Sequence, residues 1–178
     1  MAVFGPPGRG DRIARTILLP LAVLLVVVYL VFWVIFSPVR VQGDSMLPGL
    51  EDGDRVLATR TYSGPRRGDV IEVDTDLFAQ GNGGRVLKRV IAVGGDTVRI
   101  DSGRATVNGR PEPSAGLLYG EQDVSVTEIT IPQDSVYVLG DNRPISLDSR
   151  FYGAVPLDAV KGRLLFRYTP ITRLGRVD

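Results

Sequence analysis

The chain contains neither histidine nor cysteine. Without histidine there is no Ser-His-Asp triad, no Cys-His dyad and no ordinary zinc site. Without cysteine there is no disulfide and no thiolate ligand. Lysine is nearly missing too: of 21 Lys and Arg residues, only Lys88 and Lys161 are lysines. A GC-rich genome explains the bulk of that bias. Each lysine still stands out, because arginine does not deprotonate in a protein and lysine can. The formal net charge of +1 lacks the basic excess of a nucleic-acid binder, so no nucleic-acid partner is expected. Chemistry here must run on Ser, Thr, Lys, Tyr or carboxylates, and no metal or cofactor is implied.

One long uncharged run is present, Ile17 to Phe36. At about 1.5 Å per residue it makes roughly 30 Å of helix, one hydrocarbon thickness. Pro20 falls in the first turn, where proline costs least, and Trp33 lies near the far end as an interface anchor. A cleavable leader would have an apolar core of about 7–15 residues followed by a small-x-small site. Here Ser37-Pro38-Val39-Arg40 follows a longer core, so an uncleaved anchor is expected. Arg9, Arg12 and Arg15 precede it against the single acid Asp11. The positive-inside rule then predicts residues 1–16 in the cytoplasm, 17–36 in the membrane and 37–178 as an extracytoplasmic domain.

Beyond Val39 the sequence alternates short β-prone runs with Gly, Pro, Asp and Asn. Strands are expected at Arg55–Thr59, Asp69–Asp74, Arg85–Val93, Thr97–Ile100, Ala105–Asn108, Val124–Ile131, Ser135–Leu139 and Arg163–Tyr168. Asp101-Ser102-Gly103-Arg104 and Asn108-Gly109 are turn signals. Val155–Val160 is the one helical turn expected, and Ala79–Gly84 and Pro111–Gly120 read as loops. The fold class is therefore mainly β: a single transmembrane helix followed by an all-β domain of packed antiparallel sheets or a distorted barrel.

Three segments can carry chemistry. In Gly43-Asp44-Ser45-Met46-Leu47-Pro48, a turn can expose the Ser45 hydroxyl beside free backbone N–H groups, as a nucleophile and its oxyanion hole require. A serine in such a turn ordinarily serves as a cap. In Arg85–Val93, strand periodicity puts Val86, Lys88, Val90 and Ala92 on one face. Lys88 is then either an edge-strand guard or a desolvated amine whose pKa falls far enough to act as a general base. With no histidine available, a nucleophilic serine needs such a base, so the two segments support each other. The third segment, Gly140 to Arg150, concentrates hydroxyls, carboxylates and guanidinium groups in one loop. It is either a well-bonded surface loop or a shell that orients the lysine.

Together these segments resemble the type I signal peptidases, the Ser-Lys leader peptidases of bacteria. The likeness runs in order through the anchor, GDSMLP, GDRVL, RRGDVIEV, LKRVIAVGGD and GDNRPISLDSRFYG. It implies Ser45 as acylating nucleophile, Lys88 as general base and Ser146 as the hydroxyl that orients the lysine. It also implies Asp148 and Arg150 as structural supports, Arg89 beside the base, and Asp141 and Asn142 as architecture. The backbone of Ser45, with Gly43, is expected to form the oxyanion hole. Gly43 stands where some members carry a serine that helps that hole, and Pro144-Ile145 replaces an expected polar pair. The chain looks like the compact, single-anchor Gram-positive type, and its lack of histidine excludes the branch that uses histidine as base.

The resemblance further implies cleavage after small residues of the Ala-x-Ala type in preproteins carrying signal peptides. The enzyme would be a monomer at the bacterial cell membrane, near the secretion translocon, with the lipid bilayer as its other partner. Ser45 is nine residues past Phe36, at most about 30 Å of chain, which suits cuts just outside a hydrophobic segment. Val41, Met46, Leu50, Val86 and Leu87 are the expected pocket walls. Pilus and plasmid-transfer peptidases remain close alternatives. Self-cleaving repressors would carry a DNA-binding domain, and an inactive scaffold would have lost Ser45 or Lys88.

Overall fold

A computed structural model describes residues 14–61, 63–77, 84–113, 116–120 and 124–177. The chain divides after Phe36 into two units. In the first, helix α1 (Leu19–Ile35) follows a π-helical turn at Ala14–Leu18. Pro20 sits in the first turn of the α-helical part, directly after the π-helical turn, where its missing N–H costs less than in the helix interior. The continuous helical stretch Arg15–Ile35 has 21 residues, about 31 Å at the helical rise, long and apolar enough to cross a membrane. Phe36, expected as its last residue, is extended and begins the first strand instead. The expected cytoplasmic Arg9, Asp11 and Arg12 lie outside the described residues.

The second unit holds two antiparallel sheets. Strands β1 (Phe36–Arg40), β2 (Arg55–Thr59), β3 (Val70–Asp74), β4 (Arg85–Val93), β5 (Thr97–Asp101), β6 (Arg104–Val107) and β7 (Arg110–Pro111) come first. Then follow β8 (Val126–Thr130), β9 (Ser135–Leu139), α2 (Ser149–Tyr152), β10 (Val155–Pro156), β11 (Val160–Thr169) and β12 (Gly175–Arg176). The larger sheet has the order β1-β2-β11-β3-β4-β9-β10, with β12 beside β11; the smaller has β7-β6-β5-β8. The mainly β architecture is the one expected. The turn between β5 and β6 carries Ser102 at φ +48° and Gly103 at φ +75°, the left-handed pair a two-residue hairpin needs.

β3 is buried on both faces, which is why apolar Val70, Ile71 and Val73 do not alternate with exposed polar residues. Val70 joins Val41, Met46, Leu50, Val56, Ala58 and Leu164 on one side. Ile71 and Val73 join Val90, Val136, Val138, Val155 and Ala159 on the other. A third cluster, including Ile91, Ala92, Val98, Ile100, Tyr137 and Leu139, joins the two sheets.

Several expectations are corrected. Val155–Val160 does hold a helical turn, of the 3-10 kind at Leu157–Ala159, but it follows a short strand and is not the only one: an α-helical turn lies earlier, at α2. The Asp148 side chain caps α2 by accepting from the Arg150 N–H, a signal too short to produce apolar periodicity. Ala92 does not share the face of Val86 and Val90. A register shift between Val90 and Ala92 turns it into the inter-sheet cluster, because a bulge resets strand alternation. The Val124–Ile131 strand is shorter, Val126–Thr130. Of the two expected loops, residues 79–83 and 114–115 lie outside the described residues.

Candidate active site

Ser45 sits in a looped excursion between β1 and β2. Its base is closed by Val41 N–H to Asp54 O at 2.8 Å and Gly53 N–H to Val41 O at 3.0 Å. Gly43 has φ +77°, a conformation that glycine adopts without strain. The excursion leaves Ser45 half-buried and Met46 buried. Lys88 projects from the middle of β4. Ile71 lies opposite it and Val73 opposite Val86, so Lys88 shares a face with Val86 and the buried cluster around Val90.

Lys88 is 3% exposed, and its Nζ lies 3.1 Å from Ser45 Oγ, hydrogen-bonded to it. Burial lowers its pKa from the ordinary 10.5 to about 8, because an ammonium loses hydration there that an amine does not need. The Asp148 and Asp141 carboxylates oppose that fall, and the Arg150 guanidinium adds to it. The two segments that can carry nucleophile and base therefore meet, 43 residues apart in sequence.

The loop after β9 holds this pair in place. Asn142 N–H donates to Ser45 O at 3.0 Å, and Asn142 Nδ2 donates to Asp44 O at 3.1 Å. Gly140 lies so close that an added Cβ would come within 2.5 Å of Ser146 Cβ and 2.6 Å of Ser45 O. The Asp148 and Arg150 side chains are fully buried and, besides the backbone cap, joined by two side-chain hydrogen bonds, of 2.8 Å from Nε and 2.9 Å from Nη2. Asp148 also accepts from Gly140 N–H at 3.1 Å, while Arg150 Nη2 donates to Arg143 O and Ser146 O. Arg89 Nε and Nη2 both reach Asp141 at 2.7 Å, tying the loop to β4 (charge-assisted, bidentate). Arg143, buried, bridges Gly140 O to Glu112 beyond β7.

Of the other expected site residues, Ser146 is buried, and its Oγ has no hydrogen-bond partner among the described residues. The Gly43 N–H is engaged by Asp52 Oδ1 at 2.9 Å, so as a backbone donor it is already spent. The Ser45 N–H donates to no group among the described residues. A groove of about 660 Å³ opens beside the pair, lined by residues 37–43 on one side and 84–88 on the other. Val41, Met46, Val86 and Leu87 line it; Leu50 belongs to the same buried cluster as Val41 and Met46 but is not among the lining residues. Gly140 was missed in the sequence, where nothing marks a glycine that is needed for close approach. Asp52 was missed because a loop carboxylate two residues from a second one reads as ordinary surface.

The family model described as signal peptidase, peptidase S26, matches residues 13–169. The chain is 37% identical over 144 residues to a signal peptidase I of Leptolyngbya laminosa, covering 77% of this chain and 70% of that one. It is 34% identical to a probable signal peptidase I-1 of Synechocystis over 88% and 83% of the two chains. It is 30% identical to signal peptidase IB of Staphylococcus aureus over 87% and 89%. A solved signal peptidase I from Enterococcus faecalis aligns at 29% identity and TM-score 0.46, over 58% of this chain and 99% of that one. The chain therefore belongs to the signal peptidase family, peptidase S26, and is a serine peptidase of the signal peptidase I type.

Proposed function

We propose that the protein removes signal peptides from exported preproteins through a Ser45–Lys88 dyad, cutting after small residues. The observation that carries this reading is a buried lysine, shifted toward neutrality, in contact with a half-buried serine hydroxyl. Neutral Lys88 accepts the Ser45 proton as Oγ attacks the scissile carbonyl. The Ser45 N–H faces the developing oxyanion. The lysine then protonates the leaving amine, and as a neutral amine again it activates the water that releases the acyl group. Ser146, whose buried Oγ has no hydrogen-bond partner among the described residues, is free to turn to the amine and orient it, and Asp148, Arg150 and Arg89 fix the loop that carries it.

Among the described residues, two strand edges beside the groove have no partner strand. β1 is outermost in its sheet, and Arg85–Lys88 pair with β3 on one side while β9 begins only at Arg89. An extended peptide can add there as a strand, with small side chains against Val41, Met46 and Leu87. α1 anchors the protein in the bilayer, its N-terminus cytoplasmic and residues 37–178 outside. That is where a leader emerges from a translocon, and the enzyme acts there as a monomer.

The test is cleavage of a preprotein by detergent-solubilised wild type, Ser45→Ala and Lys88→Arg. Wild type cuts after the small residue, and both variants are inactive at every pH. A Lys88→Arg variant that cleaves would remove Lys88 as the base.

A further inference from the structure

One wall residue of the groove has no part in the dyad chemistry. β3 is buried on both faces, yet between Ile71 and Val73 it carries Glu72, 7% exposed. Register fixes which way Glu72 points: it lies opposite Leu87, as Val70 lies opposite Arg89 and Asp74 opposite Arg85, and these side chains share one face. Val70 and Leu87 pack on that face with Val41 and Met46. Glu72 continues the same row along the groove, one strand repeat past the apolar wall and toward Arg85.

Its carboxylate makes a single hydrogen bond among the described residues, to Arg85 Nη1 at 3.4 Å, and the Arg85 side chain is 55% exposed. An ionised carboxylate offers about four acceptor sites, and burying one with a single long contact is costly unless a further donor arrives. The groove's arginines, Arg40 and Arg85, are both exposed, so solvent screens their repulsion of an incoming positive charge; buried Lys88, which also lines the groove, carries no charge in its reactive neutral form. Glu72 lies inside, where a charge is felt more strongly.

We propose that Glu72 makes a cation-accepting subsite in the substrate groove, which takes a lysine or arginine side chain of the bound peptide. In an extended strand, alternate side chains face the same way. The basic residue therefore points as the side chain against the apolar wall does, one strand repeat from it. This inference rests on the peptide-cleaving reading above. It adds a second preference, for charge, to one for small size.

The test is a peptide series built on one all-alanine cleavage sequence. Each of the four positions on either side of the scissile bond is replaced in turn by lysine or by norleucine, which has similar length and no charge. The readout is the lysine-to-norleucine ratio of kcat/KM, for wild type, Glu72→Gln, Glu72→Val and Arg85→Ala, each normalised to the alanine peptide with the same enzyme. At one position wild type favours lysine by about tenfold. Glu72→Gln brings that ratio near one, Glu72→Val inverts it, and Arg85→Ala raises it by freeing the carboxylate. A ratio unmoved by Glu72→Gln and Glu72→Val at every position overturns the subsite while leaving the peptidase reading intact. Should the Glu72 variants not fold, a ratio that Arg85→Ala leaves level or lowers overturns it as well. Failure of wild type to cut the alanine peptide at all sinks the peptidase reading and the subsite together.

Discussion

Gly140 lies directly beneath Ser146, with no space between them for a methyl group. The same spot also presses on the Ser45 carbonyl, so one hydrogen atom separates the nucleophile loop from the loop that carries Ser146. Gly140→Ala must push both apart. Displacing reacting groups by about 1 Å costs on the order of a hundredfold in rate. The expected result is a kcat loss of about that size with KM nearly unchanged, and circular dichroism showing a folded domain. Wild-type kcat in this variant would show that the two loops can yield without disturbing the dyad.

The Lys88 amine must be neutral to accept a proton, and burial brings its pKa to about 8. The rate of signal-peptide cleavage should therefore rise with pH through a midpoint near 8 and level off above it. A midpoint near the ordinary lysine value would mean that the amine is hydrated in solution.

Burial of this lysine also carries a stability cost with a defined sign. Its folded pKa lies below its unfolded one, so the unfolded chain binds the proton more tightly and stability rises with pH between about 8 and 10.5. Below that window the full cost is present, on the order of a few kcal/mol. Lys88→Met should be inactive yet melt several degrees higher than wild type at pH 7, with the gap closing toward pH 10. Equal melting temperatures at pH 7 would refute the desolvation account.

Much of this site was legible because its residues carry scarce chemistry. In a chain with two lysines and no histidine, Ser45 and Lys88 drew notice, and strand periodicity correctly set Lys88 on an apolar face. The limits were those of local pattern. The bulge that turns Ala92 away depends on pairing with β9, which no single strand encodes. The engagement of Gly43 by Asp52 depends on how the excursion folds back on itself. Leu50 has the right character for a pocket wall and shares the buried cluster of Val41 and Met46, but it does not line the groove, and which members of a cluster reach its surface is a property of the packed whole.

The buried Asp148–Arg150 pair should be sensitive to loss of either charge. Asp148→Asn leaves a guanidinium at zero exposure without its counterion, and breaking such a pair from one side typically costs about 3–5 kcal/mol. Arg150→Lys should not rescue function, because a single ammonium cannot span Asp148, Arg143 O and Ser146 O together. Thermal melts and cleavage rates together check this. A Lys variant with normal activity would show that only charge, and not the fork of donors, is needed.

The last prediction concerns the far side of the nucleophile loop. Arg167 Nη1 donates to Gly49 O at 2.7 Å and to Asp54 at 3.2 Å, and Arg173 pairs with Glu51 at 2.5 Å and with Asp54 at 3.4 Å. Asp54 is itself buried and braces the loop by accepting from the Glu51 N–H. The C-terminal strand and turn thus clamp the segment that presents Ser45, without touching the dyad. Arg167→Ala takes away the nearer of the two arginines that meet this buried carboxylate and so loosens the loop. A kcat loss of about tenfold, with the pH midpoint of Lys88 unmoved, is expected from a change that acts through loop position alone. Adding Asp54→Asn should restore part of the stability that Arg167→Ala removes, since the buried carboxylate is then left with only the longer contact to Arg173 and the substitution takes that under-compensated charge away. A shifted pH midpoint in Arg167→Ala would instead mean that Arg167 acts on the lysine's electrostatics.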